Sequence, residues 1–370
     1  MPYLDWNATT PPLAEVLDAM RDAGRGAWGN PSSIHAFGRA ARVHVEAARE
    51  AVAELAGVDP RDVTLTSGGT EANNLAVRSA FDAGPGTLVT SRLEHPSVTR
   101  VAEALAQEGL AKVRWVRVCE DGTLDLEDLD RALAEEDVRL VTAQAVNHET
   151  GVIQPLAEIL ARTARHPKNP RVHVDAVQAA GKIDDLARLE QADSLALAGH
   201  KMRGPKGIGA LVARAGARMS PVLVGGAQER GLRPGTLDPL AAAGFAVATR
   251  RARESAARYA ELAALRDRLE VRLVARGAVR VGRGPRAPHV ANLAFEGWAG
   301  AELVAALDLE GLQVSSGSAC SAGTIEPSPV VTAMLGPRHA ASCIRFSLGE
   351  TTTEAEIDAT IAIALRVLVR

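Results

Sequence analysis

The chain has 370 residues, 46% of them apolar, with 42 basic and 45 acidic side chains and a formal net charge of −3. That length exceeds what one hydrophobic core usually serves, so two domains are expected, and the apolar share excludes a disordered chain. No lysine–arginine block points to nucleic acid or an anionic membrane surface, and no uninterrupted apolar stretch of about eighteen residues could span a bilayer.

The start, MPYLDWNATTPPLAEV, lacks the pattern of a signal peptide, and three scattered cysteines at 119, 320 and 343 form no CxxC pair. Both features predict a cytoplasmic enzyme in which one thiol serves as a nucleophile. From residue 60 onward, short β-branched runs alternate with helical patterns. VTLTS (63–67) precedes TEANNLAVRSAF, TLVTS (87–91) precedes PSVTRVAEALAQEG, VRWVRV (113–118) precedes LEDLDRALAEE, and VRLVTAQAV (138–146) precedes PLAEILARTAR. VHVDA (172–176), SLALAG (194–199) and GIGALVA (207–213) follow. Such alternation predicts βαβ units and a mostly parallel sheet, with ligands at the carboxyl ends of the strands. Residues 251–275 read as one long amphipathic helix leading out of this unit. VANLAF, LVAALD, CIRFSL and EIDATIAIALRVLV beyond it predict a smaller α+β domain. The boundaries expected are 12–255 for the large domain, with 1–11 and 256–370 forming the small one.

Polar residues gather at the predicted strand ends. Only five lysines occur against thirty-seven arginines, and Lys201 ends the apolar run LALAGHK. A lysine there packs its stem and reaches water, or sits in a desolvated pocket as an amine nucleophile for a carbonyl. Its company favours the second role. Pyridoxal phosphate (PLP) needs an anchoring lysine, a carboxylate against its pyridine nitrogen, an anion site and a stacking partner. Asp175 ends VHVDA, where it is a helix cap or a partner for a pyridinium. TSGGTEANN (66–74) is a glycine turn opening a helix, with Thr70 supplying a hydroxyl for an anion. His95 follows another strand, and His200 adjoins the lysine.

Longer motifs then carry a resemblance. LDWNATTPP, GNPSSIHAFG, TSGGTEANN, EHPSV, VNHETG, HVDAVQAAGK, GHKMRGPKGIGAL, ERGLRPGT, SSGSAC and IRFSLG together make the chain resemble the cysteine desulfurases of the nitrogen-fixation and iron–sulfur-assembly type. The resemblance implies a fold-type I PLP enzyme, its large domain a mixed, mostly parallel sheet flanked by helices. It implies Lys201 as the PLP-bearing lysine, Asp175 at the pyridine nitrogen, Gln178 at the phenolate oxygen and His95 stacked on the ring and shuttling protons. Gly69, Thr70 and His200 match phosphate contacts. Thr236 matches one supplied by a neighbouring subunit, hence a homodimer. Asn30 and Arg345 match holders of the substrate carboxylate, and no metal is implied.

Cys320 decides the reaction type. Its segment SSGSACSAG has the composition of a mobile loop, whereas Cys343 lies in a strand pattern and Cys119 near a turn. The resemblance implies that the Cys320 thiolate takes sulfur from L-cysteine as a persulfide, leaving alanine, and passes it to an iron–sulfur scaffold or a tRNA-thiolation relay. Two positions depart from the family. His148 stands where an asparagine usually donates to the phenolate oxygen, and Ala198 replaces a phosphate-binding serine. A selenocysteine lyase, a cysteine-sulfinate desulfinase or a catalytically silent PLP-binding homologue are the rival readings.

Overall fold

The computed structural model describes residues 1–183, 189, 191–316 and 327–369. Seven strands form the main sheet: β1 (Val63–Thr66), β2 (Gly86–Ser91), β3 (Ala111–Val116), β4 (Val138–Gln144), β5 (Arg171–Asp175), β6 (Ser194–Ala198) and β7 (Gly209–Ala213). Their order is β1-β7-β6-β5-β4-β2-β3. The pairs from β3 across to β6 are parallel, and β7 is antiparallel to both β6 and β1. The sheet is therefore the mostly parallel one expected, with an antiparallel edge. SLALA in β6 is buried throughout, as suits a central strand covered on both faces, while the edge strand β3 is largely half-exposed. Register places Gln144 opposite Asp175 and Asp175 opposite Ala196, so several strand ends share one edge.

A 36-residue helix, Pro239–Val274, leaves this unit, opened by the Asp238 side chain accepting the Leu240 N–H. It starts twelve residues before the amphipathic pattern that the sequence shows. Its first turns, LAAAGFAVAT, are buried nearly all round, so they carry no polar face for periodicity to reveal. Gly244 lets it cross close to the helix Ala14–Gly26, since a Cβ there would lie 2.7 Å from Met20 Cγ. Ala242, Phe245 and Ala252 belong to the core of the large sheet. Tyr259, Leu262 and Leu269 belong to a second core with Phe295, Phe346 and Ile361. Along this helix the change of core falls between Ala252 and Tyr259.

The second core backs a three-stranded antiparallel sheet of order β10-β9-β8, formed by β8 (Val279–Val281), β9 (Val290–Ala294) and β10 (Cys343–Ser347). Helices Gly300–Leu309 and Glu354–Leu368 cover it, the latter opened by a capping box between Thr353 and Glu356. The N-terminal segment joins the two units. Leu4 enters the second core, Tyr3 and Asp5 bridge to Gln313 and Ser347, and Thr10 N–H reaches the carbonyl of His200. No helix among the described residues is long and apolar enough to cross a membrane.

Candidate active site

The carboxyl edge of the parallel strands and the N-terminal segment enclose a cavity of about 520 Å³ whose walls include His95, His148, Asp175, Gln178, Lys201 and Arg345. Asp175 ends β5. Its Oδ2 accepts Asn73 Nδ2 at 2.8 Å and its Oδ1 the Val177 N–H at 3.0 Å. Lys201 closes the short turn Gly199–Lys201 after β6, and its Nζ donates to the carbonyls of Asn7 and of Ala8, the latter at 2.8 Å. His95 caps the helix Pro96–Gln107, its Nδ1 accepting the Ser97 N–H at 3.1 Å. Each of these side chains sits where an apolar strand runs out and the chain turns.

Gly69 and Thr70 line the cavity at the start of the helix Gly69–Ser79, whose first N–H groups point out of its end. Bulk is excluded here. A Cβ on Gly69 would meet Val177 Cγ2 at 2.6 Å, and one on Gly209 would meet the Leu197 carbonyl at 2.4 Å and Gly68 Cα at 2.7 Å. This explains the glycines of TSGGTE and GIGAL. His200 Nδ1 lies 3.1 Å from Thr9 Oγ1, and Ala198 forms apolar wall.

Arg345 is 2% exposed and spans two segments, donating to the His148 carbonyl at 2.9 Å and to Asp5 Oδ1 at 2.6 Å. Gln178 donates to the Asn7 carbonyl at 3.0 Å and its Oε1 accepts Lys182 Nζ at 2.6 Å. Lys201 and Arg345 bring positive charge to this wall, and behind it burial with those two neighbours drives the Lys182 amine well below its ordinary pKa. The same environment keeps imidazoles neutral. Burial, then His95, Arg345 and Lys201, push His148 well below its usual value. Burial and three lysines bring His200 down to about 4. Burial, with Lys201, also lowers His95 against the opposing pull of Asp175. His148 is thus a neutral ring, edge-on to His95 with centroids 5.2 Å apart.

The structure also places residues here that motif reading passed over. Asn7 is 1% exposed and serves as a hub. Besides its carbonyl, its N–H donates to Ser347 Oγ at 2.9 Å, its Nδ2 to the His148 carbonyl at 3.1 Å, and its Oδ1 lies 3.0 Å from His289 Nε2. Glu94 accepts the Gln144 N–H at 2.8 Å, and burial beside Asp175 pushes its carboxyl up to about 8. Glu149 accepts Ser328 Oγ at 2.5 Å, and burial raises it to about 7. All three lie in turns between elements, where no periodicity marks a buried polar residue.

Three expected residues are not brought into this wall. Asn30 is exposed and spends its Oδ1 on the Ser32 N–H, 2.9 Å away, so it does not join Arg345 within this chain. Thr236 is exposed beyond the Gln228–Gly231 turn. Cys320 lies outside the described residues.

The donor set fits PLP. An amine, a carboxylate held by two N–H donors, a helix start free of side-chain bulk and an amide share one cavity of cofactor size. His148 Nδ1 and Glu94 Oε2 are buried polar atoms without a partner among the described residues, as a wall awaiting a polar ligand requires. The model of the aminotransferase class-V family matches residues 2–360. The chain belongs to that family. It is 40% identical to the cysteine desulfurase NifS of Azotobacter vinelandii over 97% of this chain and 90% of that one. A solved NifS-like protein superposes with a TM-score of 0.92 at 34% identity, covering all of both chains. A structure titled SspA in complex with cysteine gives 0.82 at 29% identity, covering 95% of this chain and 100% of its own. Like its relatives in this family, the enzyme depends on PLP.

Proposed function

We propose that the protein is a cysteine desulfurase that converts L-cysteine to L-alanine and takes the sulfur on Cys320. The observation that carries the reading is the meeting of Lys201, Asp175, His95, Gln178 and Arg345 around one cavity, from strand ends far apart in sequence. PLP, when bound through Lys201, supplies the electron sink that makes the Cα proton of the substrate labile. Lys201 Nζ is the base placed to take that proton and to return it. Asp175 holds the pyridine nitrogen protonated, Gln178 and His148 face the phenolate oxygen, and Gly69, Thr70 and His200 hold the phosphate. His95 covers the ring and moves a proton through Nε2. Arg345 pairs with the substrate carboxylate, a fork suited to that shape. The Cys320 thiolate attacks the substrate sulfur, the C–S bond breaks, the carbon takes a proton, and a persulfide and alanine result.

Asn30 and Thr236 serve a site shared between subunits of a homodimer. Both are exposed here, and Trp28, Ile34 and Phe37 around Asn30 expose 66%, 87% and 54% of their surfaces, apolar area that a second subunit would cover. The sulfur then passes to a cytoplasmic acceptor, an iron–sulfur scaffold or a tRNA-thiolation relay.

Alanine formation from L-cysteine with a thiol reductant, wild type beside Cys320→Ala, tests this. Alanine from the wild type only is the expected result, with cofactor retained in the variant. Equal alanine from both means sulfur leaves without that thiol, as in a selenocysteine lyase or a desulfinase. No alanine from either makes the chain a silent homologue.

A further inference from the structure

Asp175 and His95 are joined by a side chain that neither motif includes. Asn73 lies on the helix Gly69–Ser79, is 1% exposed, and makes three hydrogen bonds of 2.8 Å. One Nδ2 proton goes to Asp175 Oδ2 and the other to Ser97 Oγ, while Oδ1 faces His173 Nε2.

The direction of every bond in this chain is forced. A carboxylate only accepts, so the amide of Asn73 turns its nitrogen to Asp175 and its oxygen to His173. His173 therefore carries its proton on Nε2, and its Nδ1 accepts from Ser194 Oγ, 2.8 Å away. On the other arm Ser97 Oγ already accepts from Asn73, so its own proton is left for His95 Nδ1 at 2.8 Å. That nitrogen also receives the Ser97 backbone N–H, which can only donate. With two donors aimed at it, Nδ1 carries no proton. The ring proton of His95 sits on Nε2, the nitrogen left for the cavity.

We infer that Asn73 is a positioning residue that divides its two amide protons between Asp175 and Ser97, holding the carboxylate in place and turning the Ser97 hydroxyl proton to His95, where it reinforces the Nε2–H tautomer that the Ser97 backbone N–H also favours. The inference rests on the proposed reading only for what that pair then does. The group against the pyridine nitrogen and the ring stacked on its face are set by one amide, so disturbing either arm is felt at the other through Asp175, Asn73, Ser97 and His95.

The test uses cofactor-free protein with ¹⁵N-labelled histidine, in which long-range ¹H–¹⁵N spectra report tautomers directly, together with cofactor affinity from absorbance. Wild type is expected to show His95 as Nε2–H. Asn73→Leu should lower the share of the Nε2–H tautomer, the Ser97 backbone N–H alone then opposing a proton on Nδ1, and raise the cofactor dissociation constant about tenfold or more, because two buried groups lose their donor. Ser97→Ala, which keeps the backbone donor and removes the hydroxyl, should lower the Nε2–H share in the same way while leaving that constant within about threefold of wild type, since it cuts one arm alone. Should Asn73→Leu not fold, Asn73→Ala, smaller and likewise without a donor, is read the same way. A fixed Nε2–H tautomer in the Asn73 variant, or unchanged cofactor affinity there, overturns the inference. The tautomer is read without cofactor or turnover, so its failure and a failure of the desulfurase reading are separate results.

Discussion

The two walls of the cavity are built on opposite plans. The sheet wall, made of Asp175, Asn73, Ser97, His173 and Glu94, closes through neutral amides, hydroxyls and imidazoles on β5 and on the helices and turn beside it. The facing wall gathers Lys201 and Arg345, with Lys182 behind them, from segments that meet only in the fold, knotted at Asn7 and at Ser347 of β10. Basic side chains crowd the second wall, where burial first, and neighbouring basic groups after it, lower the pKa of three histidines, 148, 200 and 289. The difference divides the labour. On the proposed reading the first wall would orient an aromatic ring through directional bonds, and the second would receive anions, a substrate carboxylate among them.

The largest effect expected follows from breaking the sheet wall. Asp175→Ala strands the Asn73 and Val177 N–H donors and removes the carboxylate proposed to face the pyridine nitrogen. We expect cofactor affinity and kcat to fall together by a hundredfold or more, on the order of 3–5 kcal/mol for an unpaired buried polar site. Arg345→Ala acts on the other wall and should raise KM for cysteine while the cofactor stays bound. If Arg345→Ala sheds cofactor as readily as Asp175→Ala, the division between walls fails. Absorbance after gel filtration, beside steady-state kinetics, decides this.

Glu94 sharpens the comparison through pH. Its carboxyl, ordinarily near 4.5, is held up to about 8 by burial and by Asp175. Between those values the folded chain keeps a proton that the unfolded chain releases, so this group's contribution makes stability fall as pH rises through the window. Linkage sets the loss at up to about 5 kcal/mol. Glu94→Gln keeps an acceptor for the Gln144 N–H and has no charge to expel, so its stability should decline less from about pH 5 to about pH 8. Identical slopes for both proteins in denaturant titrations across that range would show Glu94 ionised at no cost.

The walls also differ in how far the sequence reveals them. Lys201, Asp175 and His95 stand out because each is polar immediately after an apolar run, and parallel strands send such residues to one edge. Asn73 and His173 escape notice because an inward polar residue in a helix or strand has no marker until its partners are in place. The facing wall is less legible still. Asn7 works through bonds spanning 141 to 340 residues, which no local pattern encodes. His148 is visible as a departure from the family, yet its neutrality follows from burial and from cations brought by distant segments. The buried start of the helix Pro239–Val274 fails for a related reason: periodicity reports a boundary with solvent, and there is none.

The smallest expected effect concerns the turn behind His148. Ser328 accepts the Val331 N–H at 3.0 Å, capping the helix Pro329–Leu335, and donates to Glu149 Oε2 at 2.5 Å. Ser328→Ala should cost about 1–2 kcal/mol, the usual worth of a cap. Ser328→Asp separates the two bonds. Aspartate caps a helix as well as serine does, but here it would press a carboxylate on Glu149, already raised by burial to about 7. Above about pH 8, where both would be charged, Ser328→Asp should therefore be less stable than Ser328→Ala. Near about pH 5, where Glu149 is protonated and can donate, the order should reverse. Were Ser328→Asp to match the wild type at both pH values, the cap alone would matter and the Glu149 contact would carry nothing.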